Sequence, residues 1–443
     1  MLRNLLLTGL LSMLPLQGLF AYEPDARDVQ LLSKIEQDSI QYFVRMSDKV
    51  TGLTRDSSQA GSPASIAATG FALAAVAIGQ SRGWIPKEQA YAQIKKTLRT
   101  LLSKADQKKG FFYHFLDPRS GKRVWGSEVS SIDTTLLVAG ALLAGQYYPG
   151  TEIEAMAKKV YARIDWQWMM NNSSLVCMGW KPESGFLPYY WNSYNEHLLL
   201  QALAIGSPTH PIPAEAWNAW TRNEDVYRDK DIVYSYTGCL FTYQYAQAYI
   251  DFRELDDRGI NYFDNSVNAS IANWEYSSEN RDQYKSYGGN LWGLSASLGP
   301  AGYKAYGAKP GQGLHDGTIA PHSALSSINF TPERSIAAAH LFFNQYQDRL
   351  YDHFGFKDAF NLDKNWWAEE YLGIDQGITV LMLENYLNHG AVWNKFMQLL
   401  PVQFWIKRCN LLKVKSADLE IQPMSFMSSS DTSDSRAAPP SRQ

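Results

Sequence analysis

Carboxylates that stand where helices begin, among tryptophans, tyrosines and glycines, are the residues of this sequence best equipped for chemistry. They fall in four segments: Trp125-Gly126-Ser127-Glu128-Val129-Ser130-Ser131-Ile132-Asp133, Trp191-Asn192-Ser193-Tyr194-Asn195-Glu196, His315-Asp316-Gly317-Thr318 and Gly373-Ile374-Asp375-Gln376-Gly377. A carboxylate in the first turn of a helix can simply cap free N–H groups and answer the helix dipole, and Asp133 and Asp316 fit that plain use as well as a chemical one. Glu196 and Asp375 fit it less well. Each stands just ahead of an apolar run, Leu198-Leu199-Leu200 and Ile378-Thr379-Val380-Leu381, so a ring of helices could turn both into a central funnel. Two carboxyl groups facing one cleft are the equipment of glycoside hydrolysis, one protonated to release the leaving oxygen and one ionised to activate water. The aromatic neighbours Tyr190, Trp191 and Tyr194 favour a protonated Glu196, because desolvation penalises the charged form. Asp375 is then expected to stay ionised.

Other chemistries lack their signatures. Gly311-Gln312-Gly313-Leu314-His315-Asp316 fails the dinucleotide fingerprint at its last glycine, and no phosphate-binding Gly-Lys-Ser/Thr occurs. Glu196-His197 lacks the second histidine of a zinc protease motif, and no histidine pair is spaced four apart on a helix, so neither a metal nor a cofactor is called for. Gly293-Leu294-Ser295-Ala296-Ser297 lacks the closing glycine of a nucleophile elbow. A net charge of −3 supplies no basic field for phosphate backbones, which argues against nucleic acid as a partner. Aromatic residues make up 13% of the chain, and such faces suit ligands that are apolar on one side and hydroxylated at the rim, as sugars are.

The elements that must position these residues are helices. Val29, Leu32, Ile35, Ile40 and Phe43 recur at helical spacing and predict a helix over 28–46. Further helices are predicted near 64–80, 87–104, 131–147, 152–170, 190–205, 213–222, 236–255, 264–278, 332–348, 368–388 and 391–406, mostly divided by Gly, Pro, Asn or Asp. Strand patterns are confined to short pieces near 110–116 and 185–190. The segment over 64–80 is apolar around most of its circumference, which suits an inner ring covered by an outer one. About twelve helices then form an all-α (α/α)6 toroid. The helix-free stretch 279–331 is too long for an idle connection, and Trp292, Tyr303 and Tyr306 mark it as an ordered, functional loop.

The ends read differently. Arg3 followed by an apolar stretch from Leu5 to Phe20, ending at Ala21, is the pattern of a signal peptide over 1–21; the run is shorter than the about 20 apolar residues of a span and holds Pro15. No stable membrane insertion is expected after its removal, and the address is periplasmic or secreted. Cys177, Cys239 and Cys409 form no pattern of a disulfide framework, so stability must come from a large core. Residues 22–410 are expected to form a single catalytic domain and 411–443, rich in Ser, Asp and Pro, a disordered polar tail. A monomer is the expectation for the whole.

In order and almost throughout, these segments resemble the bacterial β-1,2-glucanases of glycoside hydrolase family 144, whose domain is also described as glucoamylase-like. The matching runs are S-I-A-A-T-G-F-A-L and I-G-Q-S-R-G within 65–83, G-F-F-Y-H-F-L at 110–116, S-I-D-T-T-L-L at 131–137, L-A-I-G-S-P-T-H-P at 203–211, D-G-T-I-A-P at 316–321, F-G-F-K-D-A-F-N at 354–361 and G-I-D-Q-G at 373–377. The likeness covers roughly residues 28–400. It implies a single (α/α)6 domain and an exported, anomer-inverting β-1,2-glucan hydrolase without a catalytic metal, with the acid pair on Glu196 and Asp375. Endo action is the expectation, and internal cleavage or end release turns on whether the 279–331 loop closes one side of the funnel. It also implies Glu128 and Asp133 at the pocket wall, with Tyr194, Trp292, Asp316 and Trp366 as glucose contacts.

The chain departs from the family at Tyr243-Gln244-Tyr245-Ala246-Gln247, where the pattern reads His-Gln-Tyr-Ser-His, and at Ser295-Ala296-Ser297-Leu298, which lacks an acid beside its second serine. Two imidazoles and a hydroxyl are thus missing near the expected cleft, which points to altered subsite preference. Other readings stay open at this point: a retaining β-1,2-glucan transferase on the same fold, a non-catalytic periplasmic glucan-binding protein, and a polysaccharide lyase, which would want a cationic pocket.

Overall fold

The computed structural model describes residues 22–412; the expected signal peptide and the tail from residue 413 lie outside them. The helices are α1 Ala26–Arg45, α2 Ile66–Ser81, α3 Lys87–Ser103, α4 Ser131–Tyr147, α5 Glu152–Ala162, α6 Trp166–Met170, α7 Leu198–Ile205, α8 Ala216–Ala219, α9 Phe241–Tyr249, α10 Tyr262–Glu279, α11 Pro321–Leu325, α12 Pro332–Leu350, α13 Gly373–Leu387, α14 Ala391–Phe396 and α15 Leu400–Arg408. The predicted segments at 152–170 and 391–406 each divide in two. Asn171 takes a left-handed backbone at the end of α6, and Leu399 breaks α14 from α15. Leu411, expected in the tail, is buried, and Leu412 pairs with Leu255.

Two kinds of helix alternate along the chain. α1, α3, α5 and α12 are amphipathic, with one buried face and one polar face. α2, α4, α7 and α13 are apolar nearly all round and almost wholly buried. The second kind can exist only inside a shell of the first. Accordingly α2 packs on α4, α4 on α7, α7 on α9, α9 on α13, and α13 both on α11 and back on α2, which closes an inner ring. α1, α3, α5, α10 and α12 cover it, and α15 covers α7 where the four-residue α8 cannot, with Trp405 edge-on to Trp217 at 5.3 Å. The fold is the expected α/α toroid.

Local chemistry sets the ends. Asp25 caps α1 in a reciprocal box with Asp28, and Asp28 Oδ1 lies 2.7 Å from His340 Nε2 on α12, so the same residue also ties two outer helices together. Ser65 and Ser130 cap α2 and α4 through their hydroxyl oxygens. Where those two inner helices cross, a Cβ on Gly140 would stand 1.9 Å from the Gly70 carbonyl oxygen, so only glycine permits the approach. α14 contacts α4, α9 and α13 at their carboxyl ends: Asn385 Oδ1 accepts from the Val392 and Trp393 amides, and the Trp393 indole donates to the Gln247 carbonyl. That end of the ring is therefore plugged. The amino ends of the inner helices face the opposite side.

Strands are short and lie in the connections between helices, as expected, although the hairpin Glu224–Tyr227 with Lys230–Val233 falls where no alternation announced it. The 279–331 stretch folds as an ordered connection containing the paired strands Ala296–Ser297 and Lys304–Ala305, the strand Thr318–Ile319 and the short α11.

Candidate active site

The amino-terminal turns of the inner helices surround a cavity of about 760 Å³. Ala67 of α2, Asp133 of α4, Glu196 just before α7, Phe241 and Tyr245 of α9, and Asp375 of α13 all line it; Asp56, His114, Trp125, Tyr303 and Glu370 reach it from the connections. Free N–H groups and aligned peptide dipoles make such helix ends favourable for negative charge, so the fold gathers acidic side chains at the place it leaves open.

Glu196 sits in the tight turn ahead of α7, its amide accepted by the Asn195 side-chain oxygen at 2.9 Å. Burial, reinforced by the charge of Asp133, pushes its carboxyl up to about 8, so it carries a proton at neutral pH. Next to it His197 is fully buried, stacked on Trp191 at 5.7 Å and edge-on to Trp220 at 4.9 Å. Burial and then Arg222 drive its pKa down to about 3, which leaves a neutral ring as packing.

Asp133 does two things at once. Its amide is capped by Ser130, whose hydroxyl donates to Oδ2 at 2.5 Å, and its carboxylate lines the cavity with Oδ1 3.5 Å from His114 Nε2. His114 Nδ1 lies 3.0 Å from Glu128 Oε1. Burial alone would lower the imidazole, but Asp133, Glu128 and Asp56 raise it to about 9, so an imidazolium stands among three acids. Glu128, held below the usual carboxylate range chiefly by the His114 hydrogen bond, is outside the cavity lining and acts on it only through that ring. Asp56 is pushed up to about 6 by burial, with His114 opposing.

Asp375 is 2% exposed, in the first turn of α13. Its Oδ1 is 3.2 Å from His322 Nε2, and Asp358 comes close enough that the potential ligand atoms of the three residues all lie within 4.8 Å of one another. Burial first, then the neighbouring Asp358, hold the Asp375 carboxyl well above the ordinary range. The expectation of an independently ionised Asp375 therefore does not hold, because Asp358, 17 positions upstream, packs beside it.

The remaining expected sugar contacts lie away from the lining. Tyr194 is buried, stacked on Tyr262 at 5.6 Å and beside Tyr243 at 5.4 Å. Trp292 is fully buried in the core. Asp316 spends its side chain on the loop, with Oδ1 accepting from the Thr318 amide and hydroxyl and Oδ2 from Tyr306. Trp366 is half-buried in a strand paired with Phe360–Asn361. Conversely, sequence reasoning passed over Asp56, His114, Trp125, Tyr245, Tyr303, His322 and Asp358. His114 and Asp358 lay inside quoted motifs and Trp125 opened one, so family-like runs were the available signal; Asp56 had none.

Of the divergent 243–247 run, only Tyr245 reaches the cavity. Gln244 donates to the Ser323 carbonyl and Ser327 hydroxyl, and Gln247 to the Tyr262 carbonyl and Ser266 hydroxyl. These glutamines join helices, and the exchange need not alter the subsites.

Over residues 188–399 the chain matches the Glycoamylase (glucoamylase) family model. The endo-β-1,2-glucanase of Chitinophaga pinensis, solved with sophorotriose and glucose, shares 30% identity and superposes with a TM-score of 0.82 over 87% of this chain and 99% of that one. The chain belongs to glycoside hydrolase family 144. A β-1,2-glucanase from Parabacteroides distasonis gives 26% identity and a TM-score of 0.82, over 87% of this chain and 60% of that one. The same organism's exo β-1,2-glucooligosaccharide sophorohydrolase, acting at the non-reducing end, is 28% identical over 87% of this chain, which spans 58% of that protein's length. In this family member, then, the cavity at the inner-helix ends is where the acids converge.

Proposed function

We propose that this protein is an exported glycoside hydrolase that cleaves β-1,2-glucan internally with inversion at the anomeric carbon. The observation that carries the reading is the placement of Glu196 just ahead of α7 and Asp375 in the first turn of α13, inner helices separated in the ring by α2 and α4 on one side and α9 on the other, with one cavity lined by both. Glu196, protonated at neutral pH, is the general acid to the leaving oxygen. Asp375 is the base side, receiving a proton from a water that attacks from the opposite face of the sugar. Carboxyls about 6.5–9.5 Å apart leave room for that water, whereas about 5–5.5 Å would let the carboxylate attack directly. Approach from separate walls of a wide cavity favours the first. Internal cleavage is favoured over end release because the chain covers nearly all of the endo-acting relative but 58% of the exo-acting one.

The test is a product profile on linear and cyclic β-1,2-glucan. The protein should open the cyclic substrate, which has no ends, and release the α-anomer first, as followed by NMR at early times. Release of sophorose from linear chains alone would make it exo-acting. The β-anomer first, or transfer to an added acceptor sugar, would make it a retaining enzyme. Binding without new reducing ends would leave a glucan-binding protein. Export rests on residues 1–21, and N-terminal sequencing of the secreted or periplasmic form should begin at Tyr22. No described helix is long and apolar enough to cross a membrane. Size-exclusion chromatography should show a monomer.

A further inference from the structure

Beneath the cavity floor lies a buried carboxyl pair that a one-acid, one-base account does not use. Asp375 lines the cavity, whereas Asp358, between the strands Gly355–Phe356 and Phe360–Asn361, does not. Both are 2% exposed. Asp358 Oδ2 accepts the Leu298 amide at 2.6 Å, and oxygens of the two carboxyls lie within 4.8 Å of one another. Asp358 Oδ1 and Asp375 Oδ2 are buried without a hydrogen-bond partner. His322, 4% exposed, brings Nε2 to 3.2 Å from Asp375 Oδ1. Two adjacent buried carboxyls cannot both carry charge, and orphaned buried oxygens are costly, so a single proton held between them answers both requirements.

We propose that Asp358 is a positioning residue for the base: it shares one proton with Asp375 and takes that proton over when Asp375 receives one from the attacking water. The inference rests on the glycoside hydrolase reading above. In the step, a water O–H bond breaks as its oxygen bonds the anomeric carbon, and the released proton goes to the cavity-facing oxygen of Asp375. The proton Asp375 already held passes to Asp358, while the glycosidic C–O bond breaks and its oxygen takes the Glu196 proton. Water is the only co-reactant. When product leaves, Asp358 gives up its proton and Glu196 regains one.

The surroundings agree. Burial keeps His322 at about 3, hence neutral, so the imidazole does not supply the counter-charge. Burial pushes Asp358 up to about 6 while its neighbour Asp375 opposes the rise, which suits a group that is ionised at neutral pH and able to accept. The other titratable groups bearing on the pair are Asp56, Glu370, Tyr42, Tyr245 and Tyr303, and burial raises the three phenols, keeping them neutral.

The test compares wild type, Asp358→Asn and Asp375→Asn. The Leu298 amide retains the side-chain oxygen at position 358, so the new amide group turns its N–H toward Asp375 and fixes it as a carboxylate. For folded Asp358→Asn, kcat on β-1,2-glucan should fall about tenfold or more with KM within about threefold, and the acid limb of the kcat profile should move down by about one pH unit or more. Infrared spectra of substrate-free protein near pH 6.5 should lose carboxylic-acid carbonyl intensity in both variants relative to wild type. An unmoved acid limb and an unchanged infrared band in folded Asp358→Asn would overturn the proposal and leave Asp358 a structural residue. So would a stoichiometric metal ion whose chelation removes activity, since the same three side chains would then be ligands. If Asp358→Asn does not fold, the Asp375→Asn band decides. If wild type leaves β-1,2-glucan intact, the functional reading fails while the infrared comparison still rules on the shared proton.

Discussion

Replacing Asp133 with Asn should move the alkaline limb of turnover without destroying catalysis. Glu196 owes its pKa of about 8 first to burial and second to the charge of Asp133 on the same cavity wall. Removing that charge leaves the burial intact. Two like charges on one wall at an effective dielectric of about 20 repel by roughly 1–2 kcal/mol, which is about one pKa unit. With a pKa near 8, about nine-tenths of Glu196 is protonated at pH 7; with a pKa near 7, about half is. Asp133→Asn should therefore lower kcat about twofold at pH 7 and about fivefold at pH 8, and leave it close to wild type on the acid side. Asn keeps the shape of the first turn of α4, and Ser130 still caps the helix through its own oxygen. The assay is initial-rate release of reducing ends from β-1,2-glucan between pH 5 and 9. An alkaline limb that coincides with wild type would refute the electrostatic coupling, and total loss of turnover in folded Asp133→Asn would move the base role from Asp375 to Asp133.

Amide substitution of either opposed carboxyl removes proton transfer while keeping shape, so Glu196→Gln and Asp375→Asn should each lower kcat by about 10²-fold or more with modest change in KM; near-normal turnover would take that residue out of the mechanism. Trp125 is 71% exposed at the cavity edge with a left-handed backbone and packs on Phe115 at 5.1 Å, the setting of a sugar platform. Trp125→Ala should raise KM several-fold, by about 0.5–1.5 kcal/mol, with an unchanged melting temperature, and an unchanged KM would deny the platform role. His114 and Glu196 both have folded pKa values, about 9 and about 8, above their unfolded ones, so the folded state holds more protons at neutral and mildly alkaline pH. Stability from these groups is thus greatest at acid pH and declines as pH rises toward 9, and the melting temperature should be lower at pH 9 than at pH 6; a flat or rising profile would contradict the assigned shifts.

What the chain discloses before folding, and what it withholds, follows from the range of the interactions involved. α2 and α4 are legible because an inner helix must be apolar on all faces, and that is written in consecutive residues; their predicted and observed bounds agree within two positions. Glu196 and Asp375 are legible for a related reason: a carboxylate just ahead of such a run is carried by the helix to the open end of the ring. Trp292 and Tyr194 mislead because the same aromatic chemistry serves a sugar face and a core, and only the packing of Tyr194 against Tyr243 and Tyr262 tells which. Protonation states are the least legible of all. Glu196 is raised first by burial and then by a residue of α4, His114 by acids at 56, 128 and 133 against its burial, and Asp375 first by burial and then by Asp358 from a connection beneath it, so each proton affinity is fixed by chain segments that meet only when the ring closes. Spacing can nominate carboxyls at helix starts, but the charge they carry is set by residues distant in sequence. A sequence that kept every inner helix and altered only the Asp358 connection would keep the toroid and change the proton affinity of Asp375.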